Sequence, residues 1–209
     1  MSLGTDMLSP WSLEVKHVID IGCADGAWSK AAMLRFPSAK VTGIDAREVT
    51  VPPILRCSNR FSLMTKTCLG REASEEPFWL FQNRNSSSLL PRESEVPDVW
   101  KRAMDHPDAI ARKVVTADSL GLDVPEKTLI KMDVQGNEAD VIRGGKDLFR
   151  RAHLVVTEVI LVPAYKGQAT FLELVAQMDK LGYRYRGNIR QARDKGKVIV
   201  IDALFERES

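Results

Sequence analysis

Apolar and polar positions along the chain follow two rhythms. Runs at 18–21, 40–45 (KVTGID), 129–134 (LIKMDV) and 153–162 (HLVVTEVILV) have the near-continuous apolar character of strands buried on both faces. Between and after them, residues 28–36, 139–149 and 171–181 carry apolar side chains at helical spacing, the last ending at Gly182. The weaker segments predict a third strand at 61–69, a polar turn at 70–76, an apolar aromatic arm or lid at 78–81 and a short helix at 99–104. A strand is expected at 113–117, and Pro52-Pro53 confine any helix at 49–57 to a short piece after the prolines. Strand candidates at 183–185 and 197–205 flank a basic segment, 187–196, and predict an antiparallel closing pair.

Composition narrows the class. With 209 residues, 44% hydrophobic and 28% charged, the chain suits one globular domain over 1–209, with a leader of undefined structure at 1–14 where Pro10-Trp11 caps the core. A net charge of +2 gives no bulk reason to expect nucleic acid. Cys23, Cys57 and Cys68 are odd in number and lack CxxC spacing, which argues against a disulfide framework or structural zinc and for a reducing compartment. No apolar run approaches the roughly 20 residues that span a bilayer, and no secretory signal is evident. A cytoplasmic location without membrane attachment is the expectation, and Asn85-Ser86-Ser87 is then a chance match to the glycosylation pattern.

The chemistry concentrates at strand ends. Residues 17–28, HVIDIGCADGAW, read as strand, small-residue turn and helix, with Gly22, Ala24 and Gly26 at alternate positions. The turn departs from the G-x-G-x-x-G of pyrophosphate binders, and Asp20 inside the strand suits a cationic ligand better than a diphosphate. The pattern D-x-G-x-A-x-G resembles the first motif of class I S-adenosylmethionine (SAM) methyltransferases. Asp45, ending the second strand, is placed to accept hydrogen bonds from ribose hydroxyls, a feature that NAD enzymes share. Asp133 ends the 129–134 strand and Glu158 interrupts the next, so an open parallel sheet would gather Asp20, Asp45 and Asp133 at one edge. The polar loop 83–88, NRNSSS, is a candidate for substrate contacts, and Tyr165 and Lys166 for rim contacts. His17, His106 and His153 are expected to be structural, and Lys131 to form a salt bridge.

Residues 129–145, LIKMDVQGNEADVIRGG, and the following VVTEVILVPAYKGQATFLELVAQMDKLGYRY together resemble the FkbM family of SAM-dependent methyltransferases. The likeness runs from about Val18 to Tyr185, with TCLG at 67–70 and NSSSL at 85–89 similar to the family's A-L-G and S-S-L segments; Cys68, GIDA and Asn137 depart from its commoner residues. The resemblance implies an α/β, Rossmann-like class I methyltransferase fold with a mostly parallel sheet, an antiparallel last strand and helices on both faces. It implies SAM as cofactor, contacted by Asp20, Gly22, Cys23, Ala24, Asp25, Gly26, Trp28, Asp45, Ala46, Cys68 and Leu69, and a hydroxyl on a sugar, polysaccharide or polyketide-like small molecule as acceptor. Such a hydroxyl needs a base or a divalent metal to take its proton. Asp133 is the first candidate and Glu158 the second, followed by Glu138, for which a favourable helix-dipole interaction is the simpler role. Whether Asp133 and Glu158 share a divalent ion, and whether the chain forms a homodimer, stay open. A SAM- or nucleotide-binding regulatory protein without catalysis and an NAD-dependent oxidoreductase are the rival readings.

Overall fold

The computed structural model describes residues 15–208; the leader at 1–14 lies outside them. The apolar runs form the interior of a seven-stranded sheet. Its strands are β1 (His17–Ile21), β2 (Lys40–Ile44), β3 (Phe61–Met64), β7 (Thr128–Met132), β8 (Leu154–Ile160), β9 (Tyr183–Asp194) and β10 (Lys197–Arg207). They lie side by side in the order β3-β2-β1-β7-β8-β10-β9. The first five pair in parallel, and β10 runs antiparallel to both β8 and β9. β10, the last strand of the chain, is therefore the one strand of this sheet that runs against the others, as expected.

Alternate residues of each strand feed two cores, because successive side chains leave a strand on opposite faces. Ile19, Ile21, Ile130, Met132 and Val155 join Val141, Ile142 and Phe149 on one face. Val18, Leu129, Val41 and Val156 join Ala32, Met33, Phe36 and Leu55 on the other. The covering helices are α1 (Ala27–Arg35), α2 (Pro53–Arg56), α4 (Glu138–Gly144), α5 (Lys146–Arg151) and α6 (Phe171–Asp179). Thr170 and Glu173 form a reciprocal capping box at the start of α6.

Several expectations change. The 61–69 strand ends at β3, because Lys66 takes a left-handed φ of 54° and the chain crosses to a second sheet. That sheet consists of β4 (Cys68–Leu69), β5 (Ser74–Leu80) and β6 (Asp108–Val115) in the order β4-β6-β5, so the expected turn at 70–76 and the aromatic arm belong largely to β5. Pro77 is tolerated because β5 is an edge strand. The helix at 139–149 is two helices hinged at Gly145, and the one expected at 99–104 is α3 (Asp98–Lys101). The basic segment 187–196 lies mostly within β9, joined to β10 by Lys195 and Gly196, both at positive φ (46° and 81°), as in the tight hairpin turn that suits strand twist.

Candidate active site

A cavity of about 450 Å³ opens where the carboxyl ends of β2, β1, β7 and β8 meet the start of β10. Gly22 makes the first part of its floor possible. At φ +80° it lets the carbonyl of Asp133 come so close that an added Cβ would sit 1.8 Å from that oxygen. The β1 and β7 ends are thereby drawn together, with Asp133 N–H donating to Ile21 O at 2.9 Å.

Of the residues expected around the cofactor, Gly22, Ala24, Asp45, Ala46, Cys68 and Leu69 line this cavity. The others have different surroundings. Asp20 is buried behind the turn and accepts a 2.5 Å hydrogen bond from the Ser29 hydroxyl. Asp25 Oδ1 accepts from Ala27 N–H at 3.0 Å, bracing the start of α1. Cys23 is buried, Gly26 precedes α1 at φ +76°, and Trp28 packs with Phe61 and Leu63 against the core on the α1 face. Small spacing in the sequence marks the turn correctly; it does not separate side chains that face the cavity from those that hold the turn in shape.

Asp45 is the most heavily bonded carboxylate of the site. Its Oδ1 accepts from Arg47 N–H (2.8 Å) and Nε (2.9 Å), and its Oδ2 from Ala24 N–H (2.9 Å) and Arg47 Nη2 (3.0 Å). Arg47 Nη1 in turn donates to Arg84 O and Asn85 Oδ1, at 2.5 and 3.2 Å, so the 83–88 loop is tied to the end of β2. Beside Asp45 the cavity is walled by Cys68, Phe78 and Leu89. Burial pushes the Cys68 thiol up to about 12, so it packs as a neutral thiol.

Asp133 and Glu158 meet further along. One side-chain amide bridges them: Gln135 Nε2 donates to Asp133 Oδ1 (2.6 Å) and to Glu158 Oε2 (2.8 Å). The Tyr165 hydroxyl lies 2.8 Å from Gln135 Oε1 and 2.7 Å from Ser86 O, and Ser88 Oγ donates to Gln135 O at 2.7 Å. Gln135 has φ +58°, a rare conformation for a residue with a Cβ, and these bonds hold it there. Burial, then the charge of Asp133, raise the Glu158 carboxyl well above the usual carboxylate range. Lys131 lies beneath, 3.8 Å from Asp133 and 4.0 Å from Asp202. Burial opposes its charge, but Asp133, Asp202, Glu158 and Asp20 outweigh that cost and raise its pKa.

Glu138 is buried and faces its own turn, accepting from Val134 N–H (3.1 Å) and Gly136 N–H (3.2 Å); desolvation raises it to about 7. Among the described residues no group of three or more Asp, Glu, His or Cys side chains is arranged to hold a metal ion. The far end of the cavity is apolar, built by Val99, Trp100, Met104, Ile160, Ile199 and Val200, with Arg190 and Arg193 of β9 beside it. This end was missed in the sequence, because its residues come from four separate segments. Gln135 was also missed; its only signal was its place between Asp133 and Gly136.

The methyltransferase FkbM domain model matches residues 20–185, most of the chain. The chain belongs to the FkbM methyltransferase family. Its cofactor is SAM, and no curated protein matches the sequence. Similar solved structures include 1,6-didemethyltoxoflavin-N1-methyltransferase from Burkholderia thailandensis, at 10% identity over 99% of this chain and 78% of that one, with a TM-score of 0.51. Magnesium protoporphyrin IX methyltransferase from Synechocystis is 13% identical over 99% and 77% of the two chains, with a TM-score of 0.49. The likeness to the toxoflavin methyltransferase speaks to the fold: the FkbM chain has the class I methyltransferase architecture. The residues present suit SAM. The cavity has the volume of a small-ligand site, acids lie just past the ends of β2 and β7 and near the end of β8, and one buried hydroxyl lining it, Ser87 Oγ, has no hydrogen-bond partner. Among the described residues, no helix is long and apolar enough to cross a membrane.

Proposed function

We propose that this FkbM protein is an O-methyltransferase, which moves a methyl group to a hydroxyl on a sugar, polysaccharide or polyketide-like small molecule. The observation that carries the reading is the amide-bridged pair of acids, Asp133 and Glu158, midway between the Gly22–Asp45 end and the apolar end of one cavity. Gly22, Ala24, Asp45, Cys68 and Leu69 would hold SAM, which supplies an activated methyl group on a sulfonium. The chain's own work is to orient the acceptor and remove its proton.

An aliphatic hydroxyl is a poor nucleophile until a base takes its proton. Asp133 is that base. Gln135 fixes its Oδ1, and Lys131 lies 3.8 Å away on the protein side. Glu158 keeps its proton to higher pH because it is buried next to Asp133. The two acids share one amide donor, and of the pair Asp133, at the strand end, is the one assigned to the acceptor's proton. Trp100, Val99 and Ile199 give the acceptor an apolar wall, which favours a polyketide-like scaffold over a long polysaccharide.

The test is transfer of radiolabelled methyl from SAM to a panel of hydroxylated polyketides, phenols and sugars. Incorporation into an ether that withstands mild base supports O-transfer to a hydroxyl. Labelling only of nitrogen or carbon acceptors contradicts it.

A further inference from the structure

Ser87 is the one cavity-lining residue among the described ones whose buried side-chain oxygen has no hydrogen-bond partner. It is only 8% exposed, so solvent does not readily replace the missing partner. A buried hydroxyl without a partner is destabilising, and such groups in a folded protein call for a cause. Its neighbours are fully used: Ser88 Oγ donates to Gln135 O and accepts from Leu90 N–H.

The backbone shows what Ser87 faces. Ser87 is extended, and Ser88 bridges Trp79, so side chains alternate and Ser87 shares a side with Leu89. Leu89 packs with Cys68 and Phe78 into the apolar wall next to Asp45. Thr67 N–H donates to Asp45 O at 3.0 Å, which sets that wall directly against the end of β2. Apolar surfaces with an unpartnered buried hydroxyl beside them fit a flat heteroaromatic ring whose faces are apolar and whose rim accepts and donates hydrogen bonds.

We propose that Ser87 is the hydroxyl that recognises the rim of the adenine base, in a slot walled by Cys68, Phe78 and Leu89 beside Asp45. The proposal rests on SAM occupying this cavity, and it assigns the specificity of that end to the S-S-L stretch on the 83–88 loop and its flank. Because Arg47 ties the same loop to Asp45, the base contact and the end of β2 are held as one unit.

Two probes test it by isothermal titration: S-adenosylhomocysteine, and 5′-methylthioadenosine, which keeps adenine and ribose but lacks the amino-acid half. In Ser87→Ala both affinities should fall by about five- to tenfold, the worth of one hydrogen bond. The ligand-free variant should melt no lower than the native protein, since the deleted group has no partner to lose. Unchanged affinities overturn the proposal, as does a loss confined to S-adenosylhomocysteine, a lower ligand-free melting temperature, or a native protein that binds S-adenosylhomocysteine but not methylthioadenosine. If the native protein binds neither probe, the SAM reading itself fails and the Ser87 assignment falls with it.

Discussion

Asp45 and Asp133 occupy equivalent places, each just past the carboxyl end of a parallel strand two positions apart in the same sheet, yet their surroundings differ in kind. Asp45 is densely bonded: each oxygen accepts two hydrogen bonds, three of the four from Arg47. Asp133 accepts one short bond, from Gln135, and lies next to a second acid, Glu158, which shares the same amide. A carboxylate surrounded by donors is fixed in position and suits recognition. A carboxylate beside a neutral acid, with a cation at some distance, suits proton transfer. Position in the fold brings acids to the ligand edge, and their neighbours divide the tasks.

Substitutions can break this comparison at either end. The largest effect is expected for Asp133→Asn. It should lower methyl transfer by about 10²–10⁴-fold, as loss of a general base does, while S-adenosylhomocysteine affinity stays within about threefold by isothermal titration, well below the tenfold of a lost contact. Unchanged turnover removes Asp133 from the chemistry. Next is Asp45→Ala, which should weaken S-adenosylhomocysteine binding by roughly 10- to 100-fold, the worth of hydrogen bonds to a charged group. Retained affinity would assign the ribose to other residues.

Gln135→Met sharpens the contrast by removing the donor that both acids share. A carboxylate that loses a hydrogen-bond donor is harder to ionise. Glu158 should therefore titrate at still higher pH than in the native protein, read from its carboxyl ¹³C shift, with Glu158→Gln used to assign the signal. A Glu158 titration that does not move would mean that the amide bridge has no electrostatic role.

The smallest effect concerns Asp20, which burial raises to about 6, with Ser29 and Lys131 partly offsetting that cost. Because its folded value lies above the ordinary 3.8, its contribution to stability is complete below about pH 4 and is lost as pH rises through 6. Asp20→Asn should flatten the fall in melting temperature between pH 4 and 7 by roughly a few degrees. An equally steep fall in the variant would contradict the burial cost.

The ligand edge of the sheet was legible in the sequence because buried parallel strands announce themselves as apolar runs, and an acid at the end of such a run stands out. Gly22, Asp45, Asp133 and Glu158 were visible in this way. The second sheet was not, because β4 has two residues and β5 contains Glu75, Glu76 and Pro77, a composition that says turn unless tertiary pairing supports it. β9 was hidden by its arginines, which face solvent on an edge strand and erase the alternation that would have marked it. Gln135 escaped for a different reason, and Ser87 was legible only as one member of the polar loop 83–88. Their roles depend on partners, one holding too many to be incidental and the other holding none, and partners are a property of the fold.

On this proposal the Gly22–Asp45 end of the cavity holds the nucleoside and the Asp133–Glu158 pair, next to it, handles the proton. A crystal structure with S-adenosylhomocysteine tests it most directly. The account predicts ribose hydroxyls on Asp45 and the sulfur between the Gly22–Ala24 turn and the Asp133–Glu158 pair, leaving the apolar end free for an acceptor. A nucleoside bound away from Asp45, or a sulfur remote from both acids, would contradict it.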